Sequence, residues 1–178
     1  MPRITPADDI ADERLQQLNI FKTVGRHPKM LDGIARLGGF LLSGVGLPAR
    51  ERELVILRTG WRSGSIYEWG QHVVIGRREG ITDEEIARLR TPGLDGWSDA
   101  DAALVAMADE LCQTNTVSAA TWDALASRFT DEQLIELLVL GGFYRMIAGI
   151  LNATDVEREP GVPGWEAGAS AQNGTSPE

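Results

Sequence analysis

Residues 52–72 read RELVILRTGWRSGSIYEWGQH, and the fold class turns on how this stretch is read. Apolar residues run from Leu54 to Leu57 without the strict alternation of a half-buried strand, and Arg62-Ser63-Gly64 breaks the chain before a second periodic segment begins. On a helix, side chains three, four and seven apart share a face. Ser65, Glu68 and His72 therefore project together, while Ile66, Trp69 and Val73 form an adjoining apolar stripe. The stretch reads as two antiparallel helices across a tight turn, the second carrying a hydroxyl, a carboxylate and an imidazole along one side.

Helical spacing continues outward in both directions. Upstream, one helix is expected near Glu13 to Phe21 and another near Lys29 to Leu42, with Met30, Ile34, Leu37 and Leu41 on one face and Gly44 and Gly46 ending it. Pro48 suits the first turn of the helix that carries Glu53, because its missing N–H has no helical partner there. Downstream, Thr82-Asp-Glu-Glu85 and Thr130-Asp-Glu-Gln133 read as capping boxes, and Ser98 and Ser118 as N-caps. They open helices reaching about Arg90, Gln113, Arg128 and Asn152. The expectation is an all-α fold, a compact bundle of about seven to eight helices over 15–156. Residues 1–14 are expected to be loosely held. The stretch 157–178, poor in aliphatics and rich in Gly, Ala, Ser and Pro, is expected to stay disordered.

At 178 residues, 43% hydrophobic and 24% charged, the chain suits a single core. A net charge of −9 without any dense Lys/Arg block argues against binding a phosphate backbone, so no nucleic-acid partner is expected. The single cysteine, Cys112, closes no intrachain disulfide and makes no cysteine-based zinc site, and two histidines rule out a His-rich metal site. No signal-like apolar segment opens the sequence, and no run approaches the ~18 unbroken apolar residues of a membrane span. A cytoplasmic location without membrane attachment is therefore expected.

A carboxylate one turn from an imidazole can orient the ring and hold its charged form, which makes Glu68 and His72 a candidate acid–base pair. The same spacing also occurs as a minor surface pair. Tyr67 and Trp69 flank the pair with aromatic surface that favours burial. Gly70, costly in mid-helix, points to something approaching closely, so the pair is read as facing a cleft. Glu53 is a third candidate, either completing a proton relay or complementing the helix dipole after Pro48. Arg58 is the better of two arginines for attracting an anionic substrate. His27 reads as a loop or capping histidine and Cys112 as a small buried residue. Tyr144 either closes a pocket or packs in the core. No phosphate loop, Gly-x-Ser-x-Gly elbow or paired-histidine zinc motif is present.

The string Arg52-Glu53-Leu, Tyr67-Glu68-Trp69, His72 and Gly80-Ile-Thr-Asp-Glu-Glu85 resembles the carboxymuconolactone decarboxylase family of the alkylhydroperoxidase D-like superfamily. In the peroxidase branch the matching helix carries Cys-x-x-Cys-x-x-x-His. Here Ser65 and Glu68 stand at the two cysteine positions, Glu53 matches an upstream glutamate, His72 the histidine, and Tyr67 a frequent second histidine. The resemblance implies that thiol peroxidase chemistry is lost. It implies instead decarboxylation or proton transfer on a small carboxylated lactone or related acid. His72 would be acid/base and Glu68 its orienting partner, with Glu53 and Arg58 in support and Ser65, Tyr67 and Trp69 around the substrate. No metal or organic cofactor is implied. The expected partners are a small anionic organic substrate and further copies of the chain, in a trimer or hexamer. The alternatives are an alkylhydroperoxidase-type antioxidant enzyme and a non-catalytic helical oligomer.

Overall fold

The computed structural model describes residues 1–43 and 46–168; the expected helix-ending Gly44 and the end of the tail, 169–178, lie outside them. Eight α-helices and one 3₁₀ turn, Leu15–Gln17, make up the secondary structure of the described residues: α1 Asn19–Val24, α2 Pro28–Ser43, α3 Ala49–Arg62, α4 Ile66–Arg78, α5 Asp83–Arg88, α6 Asp99–Thr114, α7 Ala119–Ala126 and α8 Asp131–Thr154. Both capping boxes form. Thr82 Oγ1 accepts from Glu85 N at 3.2 Å while Thr82 N donates to the Glu85 carboxylate at 2.8 Å, and Thr130 and Gln133 do the same at α8. Ser98 and Ser118 cap α6 and α7, and His27 Nδ1 accepts from Met30 N at the start of α2. Pro48 takes the N-cap position of α3, one place ahead of the first turn expected for it.

The bundle is built around α3, which packs against α4, α6 and α8. Every residue from Arg52 to Gly60 is buried, with Leu54, Val55, Ile56 and Leu57 fully so. Each such side chain contributes roughly 1.5–3 kcal/mol through burial. A helix covered on all sides is usually apolar all round, yet α3 also buries Arg52, Glu53 and Arg58. Arg58 is accommodated by a two-pronged pair with Asp109, Nε–Oδ1 and Nη2–Oδ2 both at 2.6 Å, and by Nη1 donating to the carbonyls of Leu89 and Thr91. This arginine fastens α3 to α6 and to the chain leaving α5. α8 is long and apolar enough to cross a membrane by length and composition, but its inward positions, among them Leu137, Leu140, Ala148 and Leu151, fill the core.

Three expectations change. The helix expected over Glu13–Phe21 is broken, because the Asp12 carboxylate accepts from Arg14 N and Leu15 N and competes with the helical ladder, and Leu18 is extended. Residues 1–14 are not loose. Arg3 N donates to Thr154 O, Arg3 pairs with Asp155, Ala7 N donates to Lys22 O, and Ile10 is buried. Nor is the tail disordered as far as residue 168. Trp165 stacks edge-on to Trp61 with centroids 5.1 Å apart, lies 5.7 Å from Trp69, and accepts on its carbonyl from Arg90. Composition hides this docking, since one tryptophan supplies most of its apolar surface.

Gly70 is where the tail meets α4. A Cβ there would overlap the Pro163 carbonyl oxygen and come within 2.7 Å of the Val162 side chain. The close approach inferred from this glycine is thus the protein's own tail. An ordinary mid-helix Gly→Ala change stabilises by about 1 kcal/mol. Gly70→Ala is expected instead to destabilise by about 1–3 kcal/mol in denaturant titration, with a red shift of tryptophan fluorescence as Trp165 leaves its cluster. A gain in stability with unchanged fluorescence would contradict the docking.

Candidate active site

The hairpin of α3 and α4 places Glu53 opposite His72. Gly60 and Gly76 let the two helices come close, since a side chain at residue 76 would press on Leu57 and Ile81 and one at residue 60 on Glu68. Glu53 Oε2 lies 2.7 Å from His72 Nδ1, the glutamate fully buried and the histidine 7% exposed. With Glu53 ionised, Nδ1–H donates to it, which fixes the ring's orientation and leaves Nε2 as a free acceptor. On the other side of Glu53, Oε1 faces Arg52 Nε at 3.9 Å.

The expected partner of His72 was Glu68, and the structure corrects that. Glu68 turns toward the space left by Gly60, where a Cβ would meet its Oε1 at 3.1 Å, and neither carboxyl oxygen has a hydrogen-bond partner. It is 2% exposed, and burial pushes its pKa well above the usual carboxylate range. Burial therefore favours the neutral form of Glu68, one helical turn from the imidazole. Spacing of four residues permits contact along a helix; here the neighbouring helix supplies a better-placed carboxylate.

Both residues belong to the wall of a cavity of about 300 Å³. Leu15, Leu18 and Phe21 from the N-terminal segment cover it, and Ile34, Phe143 and Ile147 form much of its apolar lining. Its polar lining consists of Tyr67, Glu68, Gln71, His72 and Tyr144. The Tyr144 ring meets His72 edge-on with centroids 4.8 Å apart; burial, then the nearby Glu53 and Glu68, raise its hydroxyl pKa and keep it neutral. Tyr144 thus serves the pocket as well as the core.

Glu159, in the stretch expected to be disordered, ties this wall together. Its Oε1 accepts from Tyr67 Oη and from Asn19 N, each at 2.7 Å, and its other oxygen accepts from Gln71 Nε2. Burial, and then this bond, raise the pKa of Tyr67. One carboxylate therefore clasps α1, which helps cover the cavity, to two of the polar groups that face it. The signals for Glu159 and Gln71 were absent from the sequence because both depend on the docked tail.

Four expected site residues need restating. Tyr67 is part of the cavity lining. Arg58 does not, because its guanidinium is engaged by Asp109 and two carbonyls. Trp69 lies in the Trp61–Trp165 cluster with Nε1 donating to Gly164 O, away from the lining. Ser65 is buried one residue before α4 starts, so it leaves the shared face assumed for it. Among the described residues, no group of three or more His, Cys, Asp or Glu side chains is arranged to hold a metal ion.

Comparison with known proteins follows the same lines. An uncharacterized peroxidase-related protein from Ralstonia eutropha JMP134, with an alkylhydroperoxidase AhpD core, superposes with a TM-score of 0.77 at 19% identity over 94% of this chain and 96% of its own. A peroxidase-related protein from Silicibacter sp. TM1040 gives 0.76 at 16% identity, covering 90% and 93%. A variant of the debrominase Bmp8 in complex with 2,3,4-tribromopyrrole gives 0.70 at 15% identity, covering 88% and 91%. No curated protein matches the sequence. Residues 28–109, which hold α3, α4, the Glu53–His72 pair and Glu68, match the carboxymuconolactone decarboxylase family. That stretch, just under half of the chain, is similar to the family, and the chain as a whole has the all-helical alkylhydroperoxidase D-like fold.

Proposed function

We propose that the protein is an acid–base enzyme that moves a proton beside the carbonyl of a small organic compound, using His72, Glu53 and Glu68. The observation that carries this reading is the 2.7 Å contact of His72 Nδ1 with buried Glu53 at the wall of an apolar cavity. Glu53 holds the ring so that Nε2 takes a proton from carbon. The electron pair left behind becomes the double bond of an enolate, and Glu68, whose neutral form burial favours, donates to the oxygen on which charge develops once its side chain turns from Gly60 into the cavity. The proton then returns from the imidazolium to another carbon. In the decarboxylase variant, the carbon–carboxyl bond supplies the electron pair, carbon dioxide leaves, and His72, protonated beforehand, delivers its proton to the ring carbon. Both routes use the same three groups.

A thiol route has little support here. Cys112, on α6, is outside the cavity lining, and burial raises its thiol pKa, which lowers the share of nucleophilic thiolate. Assembly into a homo-oligomer is part of the same proposal, since α8 leaves Ile135, Val139 and Met146 exposed at helical spacing.

Two measurements test the reading. The first follows carbon dioxide release from carboxylated muconolactones and solvent-deuterium uptake beside the carbonyl of uncharged lactones. His72→Gln is expected to lower the active reaction by about 10²-fold or more, with a smaller fall for Glu53→Gln. Undiminished turnover in His72→Gln would overturn it. The second concerns Glu68. Its folded-state pKa is raised, so the unfolded chain gives up this proton above the ordinary value of 4.5 while the folded protein keeps it. Stability relative to Glu68→Gln should therefore be greatest below that value and fall as pH rises through the folded-state pKa. A difference that is flat with pH in denaturant titrations would show that Glu68 is not held neutral.

A further inference from the structure

Among the described residues, none of the five polar side chains lining the cavity is a permanent cation. Arg58, to which an anionic substrate would have been assigned, is committed to Asp109 and two carbonyls. Arg52 is outside the lining, with its Nε 3.9 Å from Glu53 Oε1. Acidic groups stand behind the wall on two sides, Glu53 behind His72 and Glu159 behind Tyr67 and Gln71. An anion entering this space loses hydration that no lysine or arginine in the wall replaces, and much of the remaining surface is apolar.

The hydrogen-bonding pattern has the opposite preference. With Glu53 ionised, His72 donates its Nδ1–H to that carboxylate and presents Nε2 as an acceptor, while both Glu68 oxygens are buried, Oε1 against Gly60, and add no negative charge to the cavity surface. An acceptor set in an apolar wall without a cation matches a neutral molecule that has a hydrogen to give. At about 300 Å³ the cavity is at the small end of ligand pockets and suits one or two rings.

We infer that the cavity selects an uncharged ring compound of the keto–enol or phenol type over a carboxylate of the same size. This rests on the acid–base reading of His72 and favours its carbon-deprotonation route over decarboxylation. The test uses the full chain, ¹⁵N-labelled at its two histidines, with exposed His27 as an internal control. It is titrated at pH 7 with 4-methylphenol, a permanent enol that is uncharged, and with 4-methylbenzoate, its anionic counterpart. The phenol is expected to shift the His72 ring signals but not those of His27, with an affinity about tenfold or more above that of the benzoate. Equal or tighter benzoate binding at His72 would overturn the inference, and so would no response of His72 to either probe. Solvent-deuterium uptake is scored separately. Its failure alongside a clear phenol preference removes the catalytic reading and leaves the ligand preference standing; uptake with a benzoate preference does the reverse.

Discussion

A buried carboxylate facing an imidazole across two closely packed helices is the constraint around which this molecule is organised. Glu53 is fully buried on the central helix, where an unpaired charge would be severely destabilising, so the fold must supply His72 on one oxygen and Arg52 near the other. The pair sits where α3 packs on α4, and glycines 60 and 76 make the close approach of the two helices possible. The same packing puts Glu68 beside Gly60, where it is buried without a hydrogen-bond partner and its pKa is raised. Two glutamates on adjoining helices thereby meet different surroundings, Glu53 beside an imidazole and Glu68 beside no hydrogen-bonding group.

The rest of the bundle supports this arrangement from outside. Arg58 spends its donors on Asp109, Leu89 and Thr91 and so holds α3 in place without reaching the cavity. The tail works from the opposite side. Trp165 completes an aromatic cluster with Trp61 and Trp69, and Glu159 clasps α1 to Tyr67 and Gln71. Cover and floor of the cavity are thus linked through a segment that, by composition, has little apolar surface of its own.

What could be read from the sequence followed from local physics. Capping boxes at Thr82 and Thr130, caps at Ser98 and Ser118, and helical spacing placed most helices within a few residues of their bounds. Glu53, Glu68, His72 and Tyr67, which the structure gathers at or behind the cavity wall, were named as candidates. Their pairing was not, because spacing along α4 suggested Glu68 for His72 and the actual partner lies 19 positions away on α3. Arg58 was assigned to substrate since nothing in its neighbourhood announces Asp109, 51 residues on. Gly70 signalled a close neighbour correctly, but the neighbour is Pro163 rather than a ligand. The misreadings share one cause: each depended on a contact distant in sequence.

The most direct measurement is the protonation of the His72 ring nitrogens, read by ¹⁵N NMR at neutral pH together with the Nδ1 proton resonance. The account requires a proton on Nδ1 engaged with Glu53, Nε2 free, and a signature that disappears in Glu53→Ala and persists in Glu68→Gln. A proton on Nε2 instead, or a signature lost with Glu68 and kept without Glu53, would contradict it.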